Sequence, residues 1–93
     1  MSGPQYTADP PSQLRTVELD GLTALFHLPS GTTHILAPPA PQILHVLGRG
    51  PATAATILTR LKRSFDLGDA AEARDALVAR LFELEQAGLV RRA

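Results

Sequence analysis

The sequence predicts an α+β fold in which a three-stranded antiparallel meander is followed by three helices. Three observations predict it. Residues 15–36 alternate around two turn signals. Pro38, Pro39 and Pro41 then interrupt the chain. Proline cannot donate to a sheet ladder and disfavours α conformation in the residue before it, so the chain leaves the sheet here and enters a helix with proline in its first turn. Beyond this corner the apolar residues recur at helical spacing almost to the end.

Each element has its own signal. Residues 1–13 hold Gly3, Pro4, Pro10 and Pro11 with few apolar side chains, and read as a disordered arm or tag remnant before a domain at 14–93. The alternative is a segment that docks on a sheet edge, with Tyr6 as its anchor. Arg15 to Leu19 alternates, with Val17 and Leu19 on one face. Asp20-Gly21 follows and is a strong hairpin-turn signal, because a type I′ turn needs positive φ. In the strand Leu22 to Leu28, Leu22, Ala24, Phe26 and Leu28 share one face, and Thr23, Leu25 and His27 the other. A second turn at Pro29 to Thr32 leads to the third strand, Thr33 to Leu36. Such a meander needs a cover for its apolar face, and only the helices can supply one.

The first helix spans about Ala40 to Leu47, with Ile43, Leu44 and Leu47 inward and Gly48 as its stop. The second starts near Thr53, an N-cap residue, and ends near Phe65, with Ala54, Ile57, Leu58, Leu61 and Phe65 as its stripe. After Leu67-Gly68, Asp69 and Glu72 form a capping-box-like start. The third helix then runs to about Ala87 and stops at Gly88. Its stripe is Ala73, Leu77, Leu81 and Leu84. Val78 and Phe82 form a second stripe, so the apolar face is wider than one contact requires. Leu89-Val90 packs back, leaving Arg91 to Ala93 as a solvated tail. A helix-turn-helix core with strands attached is winged, and a winged helix-turn-helix-like fold is the expectation.

Composition narrows the function. The chain has 93 residues, nine positive and nine negative charges, and no cysteine. Disulfides and thiolate metal sites are excluded, which fits a reducing compartment. Nothing resembles a signal peptide or an apolar span, so a cytoplasmic protein without membrane partners is expected. Residues 1–48 carry a net −2 and residues 49–93 a net +2. Neither half is the basic body that phosphate contacts require. The start of the third helix reads Asp69, Glu72, Asp75, with Arg74 the one cation there, so the electrostatics argue against nucleic acid.

A two-residue turn at Ser30-Gly31 would place His27 opposite His34. Two imidazoles fall short of the ligand count of a zinc site, and no carboxylate on the strands completes it, so no metal is expected. His45 sits apart on the first helix. No nucleophile elbow and no Gly-rich phosphate loop is present, and Gly48-Arg49-Gly50 reads as a helix break. The expectation is a protein without catalysis or cofactor.

The opening hairpin LDGLTALFHLPSG, the strand THILAPPA running into a helix, and the ending LFELEQAGLV resemble the PqqD family. These are small peptide chaperones, or precursor-peptide recognition elements, of ribosomally made and modified peptides. The resemblance covers about Gln13 to Val90. The strand-to-helix segment looks most like the subgroup beside proteins related to HPr kinase, where a Thr-His-x-Leu strand precedes the helix. Pro38, Pro39 and Pro41 stand where that family more usually has Asn or Asp and small residues.

The resemblance implies that a leader peptide adds as a strand to the third strand and packs against the third helix, for delivery to a modifying enzyme. Backbone bonds would supply affinity and side-chain pockets selectivity. The implied peptide-binding residues are Thr33, His34, Ile35 and Leu36, with Val78 and Phe82 flooring the groove and Arg74 meeting an acidic leader residue. A winged-helix DNA-binding or regulatory domain is the second reading. A homodimer that uses the same strand edge on itself is the third.

Overall fold

A computed structural model describes residues 3–63 and 70–93 of the chain. In order these form β1 (Gln5–Ala8), a 3-10 turn (Pro11–Gln13), β2 (Leu14–Leu19), β3 (Leu22–His27) and β4 (Thr32–Leu36), then α1 (Ala40–Leu47), β5 (Ala52–Thr53), α2 (Ala54–Lys62), α3 (Ala70–Gln86) and β6 (Val90–Arg92). The expected meander is the antiparallel sheet β2-β3-β4. The expected helices follow it, giving the α+β winged arrangement.

The β2–β3 turn follows the sequence rule. Leu19 pairs with Leu22, and Asp20 and Gly21 both have positive φ, 45° and 87°. The β3–β4 turn does not. His27 pairs with Thr32 and Leu25 with His34, so the loop holds Leu28 to Gly31. The expected pairing of His27 with His34 is thus corrected by a two-residue shift in register. Gly31, at φ 71°, donates its N–H to the carbonyl of His27 and closes the longer loop.

Helix ends follow local chemistry. The Thr53 hydroxyl accepts from the Thr56 N–H at 3.2 Å and caps α2. Gly48, expected in a left-handed stop, sits at φ −62° instead. The end of α3 has the expected glycine stop: Gly88 is at φ 79°, Leu89 N–H bonds the Leu84 carbonyl and Gly88 N–H bonds that of Glu85. The expected end of α2 at Phe65, the Leu67-Gly68 break and the Asp69 cap lie outside the described residues.

A second antiparallel sheet, β5-β1-β6, is new relative to the sequence reading. The segment expected to be a disordered arm supplies its central strand. Tyr6 pairs with Ala52 on one side and Arg92 on the other, and is only 6% exposed. Burial of that ring, with backbone pairing on both edges, orders the arm. The expected solvated tail is likewise strand β6 through Arg92.

The core gathers Leu25, Ile43, Leu47, Ile57, Leu77, Leu81 and Val90 around Tyr6. The α3 stripe Ala73, Leu77, Leu81 and Leu84 is buried as the spacing requires. The sheet turns its Thr23-Leu25-His27 face to the helices, and the more apolar face of Leu22 and Phe26 stays exposed. The polar members of the inner face are satisfied: Thr23 donates to Glu18 at 3.2 Å, and both ring nitrogens of His27 have partners.

Candidate functional site

The proline corner sets the site. It ends β4 after Leu36 and swings the chain into α1, so β4 remains at the margin of its sheet. β3 pairs with one edge of β4; among the described residues no strand pairs with the other. An open edge of five residues presents unpaired N–H and C=O groups at alternate positions.

Beside that edge lies a groove of about 170 Å³. Ile35 and Leu36 form its strand side, Ala37, Pro38 and Ala40 the corner, and Arg80, Glu83, Leu84 and Ala87 of α3 the opposite wall. The wall is polar at its lip: Arg80 and Glu83 form an ion pair at 2.9 Å. The Arg80 Nε is buried and has no hydrogen-bond partner in the structure.

The same flank of α3 continues toward its start. Ala73, Ala76 and Leu77 line a second hollow, of about 330 Å³, with Pro39, Leu58 and Leu61. Positions 73, 76, 77, 80, 84 and 87 share one side of a helix. The two hollows therefore follow one flank of α3 and meet at the Pro38-Pro39 corner.

Of the residues expected to bind peptide, Ile35 and Leu36 line the groove, and Thr33 and His34 complete the open strand. Val78 and Phe82 do not line it. Both are exposed, 46% and 59%, on the side of α3 away from Arg80 and Ala87. Helical phase explains this correction: positions 78 and 82 lie about 140–180° around the axis from position 73, whereas the groove wall at 80, 84 and 87 lies within about 40° of it. Arg74 is also exposed and absent from the lining. Arg80, Glu83 and Ala87 take the positions by the strand, on the flank of α3 that also carries Leu84.

A polar chain runs along the other end of β4. Asp9 Oδ2 lies 2.6 Å from His27 Nε2, and His27 Nδ1 lies 2.6 Å from Ser30 Oγ. Ser30 Oγ lies 2.6 Å from Thr32 Oγ1, which is 2.9 Å from His34 Nε2. One proton arrangement satisfies every link, with His34 donating to Thr32, Thr32 to Ser30, Ser30 to His27, and His27 to the Asp9 carboxylate. The His27 hydrogen bond holds the Asp9 carboxyl below its ordinary value of 3.8, and Arg91 adds to the effect against an opposing desolvation. The chain fastens the β3–β4 loop to the segment after β1. Among the described residues, no group of three His, Cys, Asp or Glu side chains is placed to hold a metal.

His45, Arg49, Arg60 and Arg63 border a separate polar cleft between the ends of α1 and α2. Cations there complement the helix C-termini. Among the described residues no helix is long and apolar enough to cross a membrane.

These features define a winged α+β domain with an open strand edge facing a helix flank. The fold is shared with two solved structures. TbiB1 in complex with the TbiA(beta) leader peptide superposes with a TM-score of 0.66 at 19% identity, over 91% of this chain and 94% of that one. A lasso peptide synthetase B1 complexed with its leader peptide gives a TM-score of 0.64 at 19% identity, over 92% and 96%. No family model and no curated protein matches the chain.

Proposed function

We propose that this chain is a PqqD-like, non-enzymatic recognition element. It binds the leader of a precursor peptide by strand addition to β4 and presents it to a modifying enzyme. The observation that carries this reading is the open edge of β4 set directly against the groove walled by α3. A peptide there gains backbone bonds from Thr33 to Leu36 and places alternate side chains against Leu84 and Ala87. Arg80 and Glu83 supply polar contacts at the lip. The hollow beyond the proline corner receives a further apolar side chain from the same peptide. Two solved structures of this fold carry leader peptides, which supports the reading.

The test is calorimetric titration with the leader of a candidate short precursor peptide. Ala87→Trp fills the groove without touching the β3–β4 pairing. Its expected effect is an affinity loss of about tenfold or more, with the thermal transition retained. Unchanged affinity in this variant contradicts the groove assignment.

A further inference from the structure

Charge is unevenly spread along the chain. Between Asp20 and Asp66 there is no acidic residue, and the Arg and Lys residues in that span are Arg49, Arg60, Lys62 and Arg63. Helices α1 and α2 therefore carry no carboxylate. The fold brings three of these cations together. Arg49, just past the end of α1, and Arg60 and Arg63, at the end of α2, border one cleft of about 420 Å³ with His45. All four side chains are exposed. Among the described residues, no ion pair includes Arg49, Arg60 or Arg63.

The helix ends account for part of this charge. Each helix C-terminus presents about half a negative charge, so the two ends offset about one of the three guanidinium groups and leave about two without a counterpart. The cleft is also elongated. A hollow of about 260 Å³ shares Arg60 and Arg63 with it and continues to Thr56 and Thr59. Thr56 accepts from the Thr53 hydroxyl at 3.1 Å and keeps its own hydroxyl hydrogen to donate.

We propose that this cleft binds an acidic segment of a second polypeptide, with two carboxylates seated on Arg49, Arg60 and Arg63. A track lined by several guanidinium groups suits carboxylates spaced along an extended segment, each accepting paired N–H bonds. Duplex nucleic acid fits less well. The chain is neutral overall, and a local excess of about two charges makes too few phosphate contacts for tight binding. On α2, Arg60 and Arg63 lie about 100–160° around the axis from Leu58 and Leu61, which line the hollow on the α3 side. The acidic segment and a leader at β4 thus use different faces, so the cleft does not rest on the peptide reading.

The experiment is fluorescence anisotropy of a labelled decapeptide alternating glutamate and serine, titrated with the full chain at low salt and without leader. Saturable binding is expected, weakening toward physiological salt, where the Debye length falls to about 8 Å. The same peptide with glutamine for glutamate should not bind. Arg60→Gln combined with Arg63→Gln should weaken binding about fivefold or more. Arg49→Gln serves as the second variant if the double variant loses its circular dichroism spectrum. Arg74→Gln, at an exposed position on α3 outside the cleft, should bind as wild type. No binding of the glutamate peptide at low salt overturns the proposal, as does binding indifferent to the cleft variants. Inorganic phosphate or a short DNA duplex that binds more tightly than the peptide, and loses affinity in the same variants, also overturns it by assigning the cleft to phosphate groups. With no leader present, these outcomes stand apart from binding at β4.

Discussion

His27 Nε2 lies 2.6 Å from Asp9 Oδ2, joining residues 18 positions apart. Arg91 reaches the other oxygen of the same carboxylate at 3.4 Å. Asp9 is thus the point where the first strand, the meander and the last strand are tied together. Through Ser30 and Thr32 the tie extends to His34 on β4. The open edge of β4 is steadied from the far end of the chain.

Replacing Asp9 by Asn removes a charge-assisted bond at a partly buried position, and should cost about 1–2 kcal/mol. The contribution has a defined pH window. The folded-state pKa of Asp9 lies below its ordinary value of 3.8, so the stabilisation is present above 3.8 and is lost as pH falls through the lower folded value. Urea unfolding of wild type and Asp9→Asn across acid pH measures it. The difference between them should hold at mildly acidic pH and shrink below 3.8. A difference that grows as pH falls contradicts the assignment.

Neighbouring residues on α3 should behave oppositely. Leu81 is fully buried and Phe82 is 59% exposed. Leu81→Ala should cost about 2–5 kcal/mol of stability. Phe82→Ala should stay within about 0.5 kcal/mol of wild type and leave peptide affinity unchanged, since the ring lies off the groove. Thermal unfolding and peptide titration on both variants check this. A large stability loss in Phe82→Ala, or a clear affinity loss, contradicts the placement.

Local chemistry made much of the fold legible. Asp20-Gly21 set the first hairpin, the prolines set the start of α1, and the Leu77-Leu81-Leu84 spacing with Gly88 set α3 and its stop. The second sheet was not legible because β5 has two residues and β6 three. Segments that short carry no periodicity, and their pairing with β1 depends on a ring, Tyr6, buried by distant parts of the chain. The inner face of the meander was ambiguous for another reason. Its outer face is the more apolar one, while Thr23 and His27 go inside with partners in Glu18 and Asp9. For the site, the open edge at Thr33 to Leu36 could be read from strand order alone. The helix wall could not: both flanks of α3 carry small or apolar residues, and only packing decides which one meets β4.

Strand addition to β4 is tested most directly by a backbone amide NMR titration of the full chain with the leader of a candidate precursor peptide. Strand addition predicts the largest shifts, and slowed hydrogen exchange, at alternate amides of Thr33 to Leu36. Accompanying shifts should appear at Arg80, Glu83 and Ala87, with little change at Val78 and Phe82. Binding that leaves the Thr33 to Leu36 amides unmoved contradicts strand addition to β4.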